Sequence, residues 1–248
     1  MRLLDIFSDF RLVTSGEAAG LSIVSPRKSD RTMVHGTYEV PMQQAIAANL
    51  SPGDVFYDIG ANIGFFSLIA ARRVGPTGHV YAFEPVESNA AAIVRSARRN
   101  HFETIKVFAQ AIGSSTGTAD LLTARHLGGA VLASVGEPPD RVGSVCVEVL
   151  TMDDAIARHG LRPPSMLKID VEGAELDVLH GMVETLCNRR PKLVYEIDDA
   201  TMNGLVEKRE AIATLLRAAQ YRLDPLPASY LGVGWHVEHV LALPLPRG

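Results

Sequence analysis

Residues 55–64 read Val-Phe-Tyr-Asp-Ile-Gly-Ala-Asn-Ile-Gly, and the helical pattern of Phe65 to Arg73 follows them. The apolar run indicates a buried strand, and the glycines indicate a tight turn between that strand and a helix. Gly60 and Gly64 lack a Cβ, so the backbone can turn sharply and lie close against a ligand. The stretch therefore predicts an α/β fold with a strand–loop–helix nucleotide site.

The polar residues of this loop indicate which class of ligand it would bind. Asp58 ends the strand with a negative charge that suits a cationic amino group, while the first N–H groups of the helix suit a carboxylate or phosphate. Asn62 and Ser67 are expected to add hydrogen bonds. An amino acid joined to a nucleoside carries both charges, which favours S-adenosylmethionine. A dinucleotide fingerprint needs a middle glycine where this chain has Asn62, so NAD or FAD is disfavoured.

Two further strands are predicted after the loop. Residues 79–83 form the first, and Glu84 at its end is placed to accept hydrogen bonds from ribose hydroxyls. The alternative for Glu84 is a solvent-facing residue before a proline turn. Residues 105–109 form the second strand, and Gln110 with the Ala111 backbone would meet an adenine edge there. Ordinary loop chemistry is an equal alternative for this pair.

A second dense motif lies at Lys168-Ile-Asp-Val-Glu-Gly-Ala-Glu175, between a short strand and a helix predicted around Leu176 to Leu186. Carboxylates this close raise one another's pKa unless a cation, a proton or a metal relieves them, which makes such clusters site candidates. We expect Asp170 or Glu172 to act as general base or substrate-orienting acid, with Lys168 tuning the cluster. For Glu175 a helix N-terminal acid is favoured.

The ends of neighbouring strands also suggest a metal. Asp170 and Glu196 would face one crevice, with Asp198 or Asp199 nearby, and oxygen ligands of this kind suit Mg²⁺. The alternative is that these acids begin water-exposed loops. The sequence has no ligand-spaced His or Cys cluster that argues for zinc.

Four segments together resemble the FkbM family of S-adenosylmethionine-dependent methyltransferases. They are Asp58–Gly64, Ala82–Pro85, Lys168–Glu175 and Pro191–Ile197. The third segment is the discriminating one, since nearly all class I methyltransferases share the glycine loop. The resemblance extends from Glu39 to Ile197. It implies a class I Rossmann-like fold, with about seven mostly parallel strands and helices on both faces of the sheet.

The resemblance also implies a reaction and a set of roles. The reaction is O-methylation of a hydroxyl on a sugar, a polyketide or another secondary-metabolite scaffold. By the family pattern Glu84 would hold the ribose and Gln110-Ala111 the adenine. The methionine part would be held by Asp58, Gly60, Asn62 and Gly64. Tyr38-Glu39 looks like an aromatic–acid pair of relatives, so Glu39 is expected to close over the cofactor.

Composition bounds the partners. The chain has 248 residues, 47% of them hydrophobic, and a formal net charge of −4. This length suits one domain, and the acidic balance argues against nucleic acid as a partner. No segment has the roughly 18 uninterrupted apolar residues of a membrane span, and no secretory signal begins the chain. Two cysteines, Cys146 and Cys187, are expected to be free, buried thiols in a reducing cytoplasm.

The domain prediction is one methyltransferase domain over residues 1–248. Residues 1–40 would cap the cofactor or pair with a second subunit in a homo-oligomer, and residues 41–248 would form the core, closed by C-terminal antiparallel strands. Two other functions remain open at this stage. One is an NAD(P)-dependent oxidoreductase, and the other is a non-catalytic S-adenosylmethionine-binding module.

Overall fold

A central sheet of seven strands organises the computed structural model, which describes residues 9–24, 31–124, 130–136, 141–230 and 235–246. The strands are β1 Phe10–Leu12, β2 Ser22–Val24, β3 Val55–Ile59, β4 His79–Phe83, β5 Ile105–Phe108, β6 Ala111–Ile112, β7 Gly117–Ala124, β8 Val131–Leu132, β9 Arg141–Leu150, β10 Met166–Ile169, β11 Lys192–Asp199, β12 Tyr221–Pro225 and β13 His236–Pro244. The large sheet has the order β12-β13-β11-β10-β3-β4-β5.

The helices flank this sheet. They are α1 Arg31–His35, α2 Val40–Asn49, α3 Phe65–Val74, α4 Glu87–Arg99, α5 Met152–His159, α6 Glu175–His180 and α7 Met202–Ala218, with a π-helical turn at Thr185–Arg189. No helix in the described ranges is long and apolar enough to cross a membrane.

Strand β3 lies inside the sheet, and all five of its residues are buried. It pairs in parallel with β4 on one side and β10 on the other. Successive side chains of a strand point to opposite faces, so Phe56 and Tyr57 enter different apolar clusters. Each cluster is covered by helices, as expected when parallel strands are buried on both sides. The predicted α/β class with about seven mostly parallel strands is confirmed.

Strand β13 runs antiparallel to the other six strands of the large sheet. β13 lies between β11 and β12 and pairs antiparallel with both. The register sets His239 opposite Glu196. Because β13 lies beside β11, its side chains reach the edge of the sheet where the predicted acids lie.

A second sheet was not predicted. It has the order β6-β9-β7-β8, and its longest contact is the antiparallel pairing of β7 with β9.

The two cysteines are free and exposed; Cys146 lies on β9. The expectation of unpaired thiols holds, but their expected burial was wrong. Cys146 lies on a small sheet with one face open, and Cys187 lies in the short π-helical turn.

The helix after the second acidic motif is shorter than predicted. α6 ends at His180, and the predicted helix to Leu186 is interrupted at Gly181. A Cβ on Gly181 would lie 2.0 Å from the Gly113 carbonyl oxygen, so two backbone segments meet too closely for a side chain. Close backbone contact of this kind requires glycine.

The N-terminal segment packs against α4. The Ser22 N–H donates to the Asn100 side chain over 2.8 Å, and the Val24 N–H donates to the Ser96 hydroxyl over 2.9 Å. Residues 1–8 and 25–30 lie outside the described residues. The cap role of residues 1–40 and the single-domain boundary stay predictions.

Candidate active site

The carboxyl ends of β3, β4 and β10 bring the predicted acids to one edge of the sheet. The register sets Asp58 beside Lys168 on one side and Ala82 on the other. Asp170 follows β10 directly, and its N–H donates to the Ile59 carbonyl over 3.2 Å. The cofactor loop and the second acidic motif therefore lie together at one edge of the sheet, as expected for a doubly wound sheet.

Lys168 joins these two motifs. Its ammonium is 2% exposed and lies 3.0 Å from an Asp170 oxygen and 3.5 Å from an Asp58 oxygen. It also donates to the Gly60 carbonyl over 2.9 Å. Burial lowers the pKa of Lys168, but the charges of Asp170 and Asp58 outweigh burial and raise it well above its ordinary value. Lys168 therefore stays charged and ties the glycine loop to the second acidic motif.

Asp58 is completely buried, and Lys168 inside the protein compensates its charge. Ser67 donates to Asp58 Oδ2 over 2.6 Å, so its hydroxyl orients the aspartate. Asp58 Oδ1 has no hydrogen-bond partner among the described residues and faces the Lys168 ammonium at 3.5 Å. The predicted contacts of Asp58 and Ser67 with a cofactor stay predictions. The structure adds that both reach the site as part of a buried charge network.

The glycine loop has the backbone shape that its sequence predicts. Gly60 has φ +73° and Gly64 has φ +86°, in the left-handed region that favours glycine. A Cβ on Gly60 would lie 1.8 Å from the Asp170 carbonyl oxygen. Asn62 also has a positive φ of 50°, which asparagine tolerates better than most residues. Its buried Oδ1 has no hydrogen-bond partner among the described residues.

Glu84 braces the loop from the end of β4. One carboxylate oxygen accepts from the Asn62 N–H over 2.8 Å, and the other accepts from the Val86 N–H over 2.9 Å. Burial raises the pKa of Glu84 to about 7, although both N–H groups lower it. A carboxylate fixed by backbone donors is suited to accept further hydrogen bonds from a diol. Its ribose role stays a prediction.

Both the nitrogen and the oxygen of the Gln110 side-chain amide already have partners. Its nitrogen donates to Glu148 over 2.6 Å, and its oxygen lies 2.9 Å from the His159 ring. His159 in turn stacks on Phe108, with ring centroids 4.5 Å apart. Ala111 is buried in β6. The adenine assignment of Gln110 and Ala111 stays a prediction, and the structure shows that adenine recognition by Gln110 would compete with these two contacts.

The acids of the second motif differ in their surroundings. Glu175 begins α6 and accepts from the N–H groups of Val171 and Gly173, each over 3.1 Å, so it closes the loop as a structural acid. Glu172 has a positive φ of 54°, unusual for its residue type. Burial raises the pKa of Glu172 to about 9, and the Asp170 charge adds to the shift. Burial also raises the pKa of Asp170, against the lowering effect of Lys168.

Glu39 lies at the start of α2. It has a positive φ of 41° and is buried. Its Oε1 accepts from the Tyr230 hydroxyl, and its Oε2 lies 3.5 Å from His239 Nε2. The preceding Tyr38 packs on Phe65, at the start of α3, with ring centroids 5.8 Å apart. Tyr38 therefore packs at the start of α3, directly after the cofactor loop, while the contact of Glu39 with a cofactor stays a prediction.

The acids proposed for magnesium have different surroundings. Glu196 lies 2.7 Å from His239 Nε2. Asp198 accepts from the Trp235 indole N–H over 2.6 Å. Asp199 accepts from the Thr201 N–H over 2.8 Å and pairs with Lys208 at 3.2 Å, so it is occupied at the start of α7. Magnesium binding at Asp170 and Glu196 stays a prediction.

Sequence reasoning missed His239. It is 2% exposed and lies between Glu196 and Glu39. Burial lowers the pKa of His239, but the hydrogen bond with Glu196 and the charges of both glutamates outweigh burial and raise the pKa to about 10. A lone histidine in an apolar strand gives no sequence signal for this role. Only the antiparallel register of β13 against β11 reveals its partner.

A family model described as "Methyltransferase FkbM domain" matches residues 58–223. The chain is 31% identical over 177 residues to the 31-O-demethyl-FK506 methyltransferase FkbM of Streptomyces tacrolimicus, covering 60% of this chain and 67% of that protein. It is 29% identical to the 2-O-methyltransferase NoeI of Sinorhizobium fredii, covering 60% and 65%. It is 26% identical to the hexuronic acid methyltransferase AglP of Haloferax volcanii, covering 54% and 52%. The chain thus spans about half to two thirds of these relatives.

Solved structures agree on the fold. A methyltransferase FkbM from Methylobacillus flagellatus superposes with a TM-score of 0.54 at 16% identity, covering 85% of this chain and 60% of that one. A precorrin-6y C5,15-methyltransferase from Geobacter metallireducens gives a TM-score of 0.50 at 14% identity, covering 84% and 88%. At these identities the likeness concerns the class I methyltransferase fold alone.

Proposed function

Because the chain belongs to the FkbM family of methyltransferases, we propose that it transfers the methyl group of S-adenosylmethionine to a hydroxyl oxygen of a small molecule. The observation that carries the proposal is the contact between the glycine loop and the second acidic motif. Gly60 and Asp170 touch so closely that no side chain fits at position 60, and Lys168 bridges both. A cofactor held by the loop would therefore lie beside the acids.

The residues present suit the cofactor. The carbonyl oxygen of the Asn62 side chain is buried without a hydrogen-bond partner among the described residues. The N-cap residue Gly64 offers no side-chain hydrogen bond to α3, and the first N–H groups of a helix favour a carboxylate. Glu84 carries the acceptor for a diol on the next strand end. When bound, S-adenosylmethionine supplies an electrophilic methyl group on a positively charged sulfur.

The remaining chemistry belongs to the protein. An acceptor hydroxyl must be aligned with the methyl group and must give up its proton during an in-line displacement. We assign proton acceptance to Asp170, because Lys168 at 3.0 Å favours its ionised form. Burial and the neighbouring acids raise the pKa of Glu172, which favours its protonated form, and we assign it a hydrogen bond that orients the acceptor. Lys168 holds the aspartate in position.

The acceptor class follows from chemistry and from relatives. Two relatives carry O-methylation in their names, and a third is named for a hexuronic acid. Together with the family resemblance, these names support a hydroxyl on a sugar or on a polyketide or other secondary-metabolite scaffold. The proposal includes a cytoplasmic enzyme without a nucleic-acid partner. The net charge of −4 and the two free cysteines support it.

The two rival functions make different predictions. An NAD(P)-dependent oxidoreductase would need close backbone approach to a pyrophosphate where this loop has the Asn62 side chain, and the family match disfavours it. A non-catalytic S-adenosylmethionine-binding module would bind the cofactor but would transfer no methyl group to any acceptor.

The experiment is methyl transfer by the purified chain from labelled S-adenosylmethionine to a panel of hydroxylated sugars and polyketides. Mass spectrometry then locates the added methyl group. We expect O-methylation, and we expect Asp170→Asn to lower turnover by about 10²–10⁴-fold while S-adenosylhomocysteine still binds. Asp177→Asn, on α6 outside the acidic cluster, is the matched control and keeps wild-type turnover. Methylation of nitrogen or carbon, or full activity of Asp170→Asn, contradicts the proposal.

A further inference from the structure

A second polar cluster lies beside the proposed methyl-transfer site. Glu39 comes from the start of α2, Glu196 from β11 and His239 from β13. One ligand atom of each lies within 4.8 Å of the others. Glu39 and His239 are buried, and Glu196 is mostly buried, with 13% of its side chain exposed. Three elements far apart in sequence thus converge on one point.

The distances in the cluster fit a coordination shell. His239 Nε2 lies 2.7 Å from Glu196 Oε2 and 3.5 Å from Glu39 Oε2. Nitrogen and oxygen ligands bind first-row metal ions at about 2.1 Å, so two ligands at a right angle lie about 3 Å apart. The observed separations bracket that value, and a cation would need only small side-chain movements to enter.

Glu39 gives an independent sign of a missing partner. Its side chain is 1% exposed, and its Oε2 has no hydrogen-bond partner among the described residues. Its Oε1 is held by Tyr230, and its backbone adopts a left-handed φ of 41°. A non-glycine residue in that region costs free energy and often marks a functional site. The protein thus holds this carboxylate oxygen 3.5 Å from His239 Nε2, without a hydrogen bond, at a conformational cost.

The far side of His239 is also arranged for coordination. Its Nδ1 lies 3.3 Å from the Ser229 hydroxyl. When Nδ1–H donates to that hydroxyl, the Nε2 lone pair faces the two glutamates. Histidines that bind metals commonly have such a second partner, which fixes the tautomer and the ring orientation.

We propose that Glu39, Glu196 and His239 form a binding site for a divalent first-row transition metal ion, such as Mn²⁺ or Fe²⁺. An imidazole ligand together with two carboxylates suits these ions better than Mg²⁺, which prefers oxygen ligands alone. A divalent ion at this point would neutralise the two carboxylates.

The site has a role in the proposed reaction, and this part of the inference rests on the proposed function. Three protein ligands leave coordination positions for oxygen atoms of the acceptor. A bound hydroxyl loses its proton more readily because the ion stabilises the alkoxide. Ile169 pairs with Tyr195 in the parallel register of β10 and β11, so Asp170 and Glu196 follow at adjacent positions on neighbouring strands, and the proposed base lies close to the cluster. The ion would thus select acceptors with neighbouring oxygen atoms, such as sugar diols.

The test is a titration of the metal-stripped full chain with Mn²⁺, followed by calorimetry and electron paramagnetic resonance, without cofactor or acceptor. We expect one saturable Mn²⁺ site per chain and a nitrogen coupling in the spin-echo spectrum. Glu39→Gln, Glu196→Gln and His239→Gln are each expected to weaken binding by at least about tenfold, and the nitrogen coupling disappears in His239→Gln. His236→Gln, on the same strand, and Glu207→Gln, on the surface of α7, are the matched controls and keep wild-type affinity.

Absence of saturable Mn²⁺ binding in the wild-type chain overturns the site, because the cluster is then only a buried ion pair. Binding that none of the three variants weakens overturns it as well. If a variant fails to fold by circular dichroism, the nitrogen coupling in the wild-type spectrum decides. Titration of the same samples with S-adenosylhomocysteine separates failure of the metal site from failure of the proposed function.

Discussion

Lys168→Met is the sharpest test of the buried charge network. The ammonium contacts the Gly60 carbonyl at 2.9 Å, Asp170 at 3.0 Å and Asp58 at 3.5 Å, and it is 2% exposed. Methionine has a similar length but no charge. The substitution leaves two carboxylates and one carbonyl without the cation that they share.

The expected cost follows from that burial. Removing one member of a buried ion pair costs about 3–5 kcal/mol, because the remaining charge is uncompensated. In a chain of this size each kcal/mol lowers Tm by about 2–4 °C, so the expected drop in Tm is about 6–20 °C. Lys106→Met, at an exposed position of β5, is the matched control and should change stability by less than about 0.5 kcal/mol.

Thermal unfolding followed by circular dichroism measures both variants. Without Lys168 the pKa of Asp170 rises further, so the folded state binds a proton that the unfolded state has released. That proton stabilises the variant at low pH, and the stabilisation is lost as pH rises through the folded-state pKa. The deficit in Tm should therefore be larger at about pH 8 than at about pH 5.5. A Lys168→Met deficit no larger than that of Lys106→Met would refute the reasoning.

Two further predictions concern the cofactor loop. Gly60→Ala places a Cβ 1.8 Å from the Asp170 carbonyl oxygen, whereas Gly75→Ala, also at positive φ, meets no atom within 4 Å. Urea unfolding should show a loss for Gly60→Ala at least about 2 kcal/mol greater than for Gly75→Ala, and equal losses would contradict the close contact. Because burial raises the pKa of Glu84 to about 7, its ionised fraction increases about tenfold between about pH 6 and pH 8. Calorimetric affinity for S-adenosylhomocysteine should rise with pH accordingly in the wild type; in Glu84→Gln it should be flat and about 10–100-fold weaker at high pH, and a pH-independent wild type would count against the ribose role.

The sequence was sufficient to predict the centre of the fold. A fully apolar strand before two glycines predicts β3 and its turn, and the observed φ angles of Gly60 and Gly64 follow from that pattern. Glu84 and Asp170 were placed correctly at strand ends because parallel strands end at one edge of a sheet. Local pattern alone determines these features.

Other features depend on contacts between distant segments. Asp58 and Lys168 are 110 residues apart in the sequence. They lie side by side only because β10 pairs in register with β3. His239 meets Glu196 only because β13 inserts antiparallel beside β11. The small sheet of β6 to β9 escaped prediction because its strands have mixed exposure, such as the mostly exposed β9. Periodicity gives faces of elements, but it does not give their neighbours.

Calorimetric titration of the purified chain with S-adenosylhomocysteine, and separately with NAD⁺, tests the central claim most directly. The account predicts saturable binding of S-adenosylhomocysteine that is lost in Asp58→Ala and Glu84→Ala, and it predicts no binding of NAD⁺. Binding of NAD⁺ without binding of S-adenosylhomocysteine would contradict the account and favour an oxidoreductase.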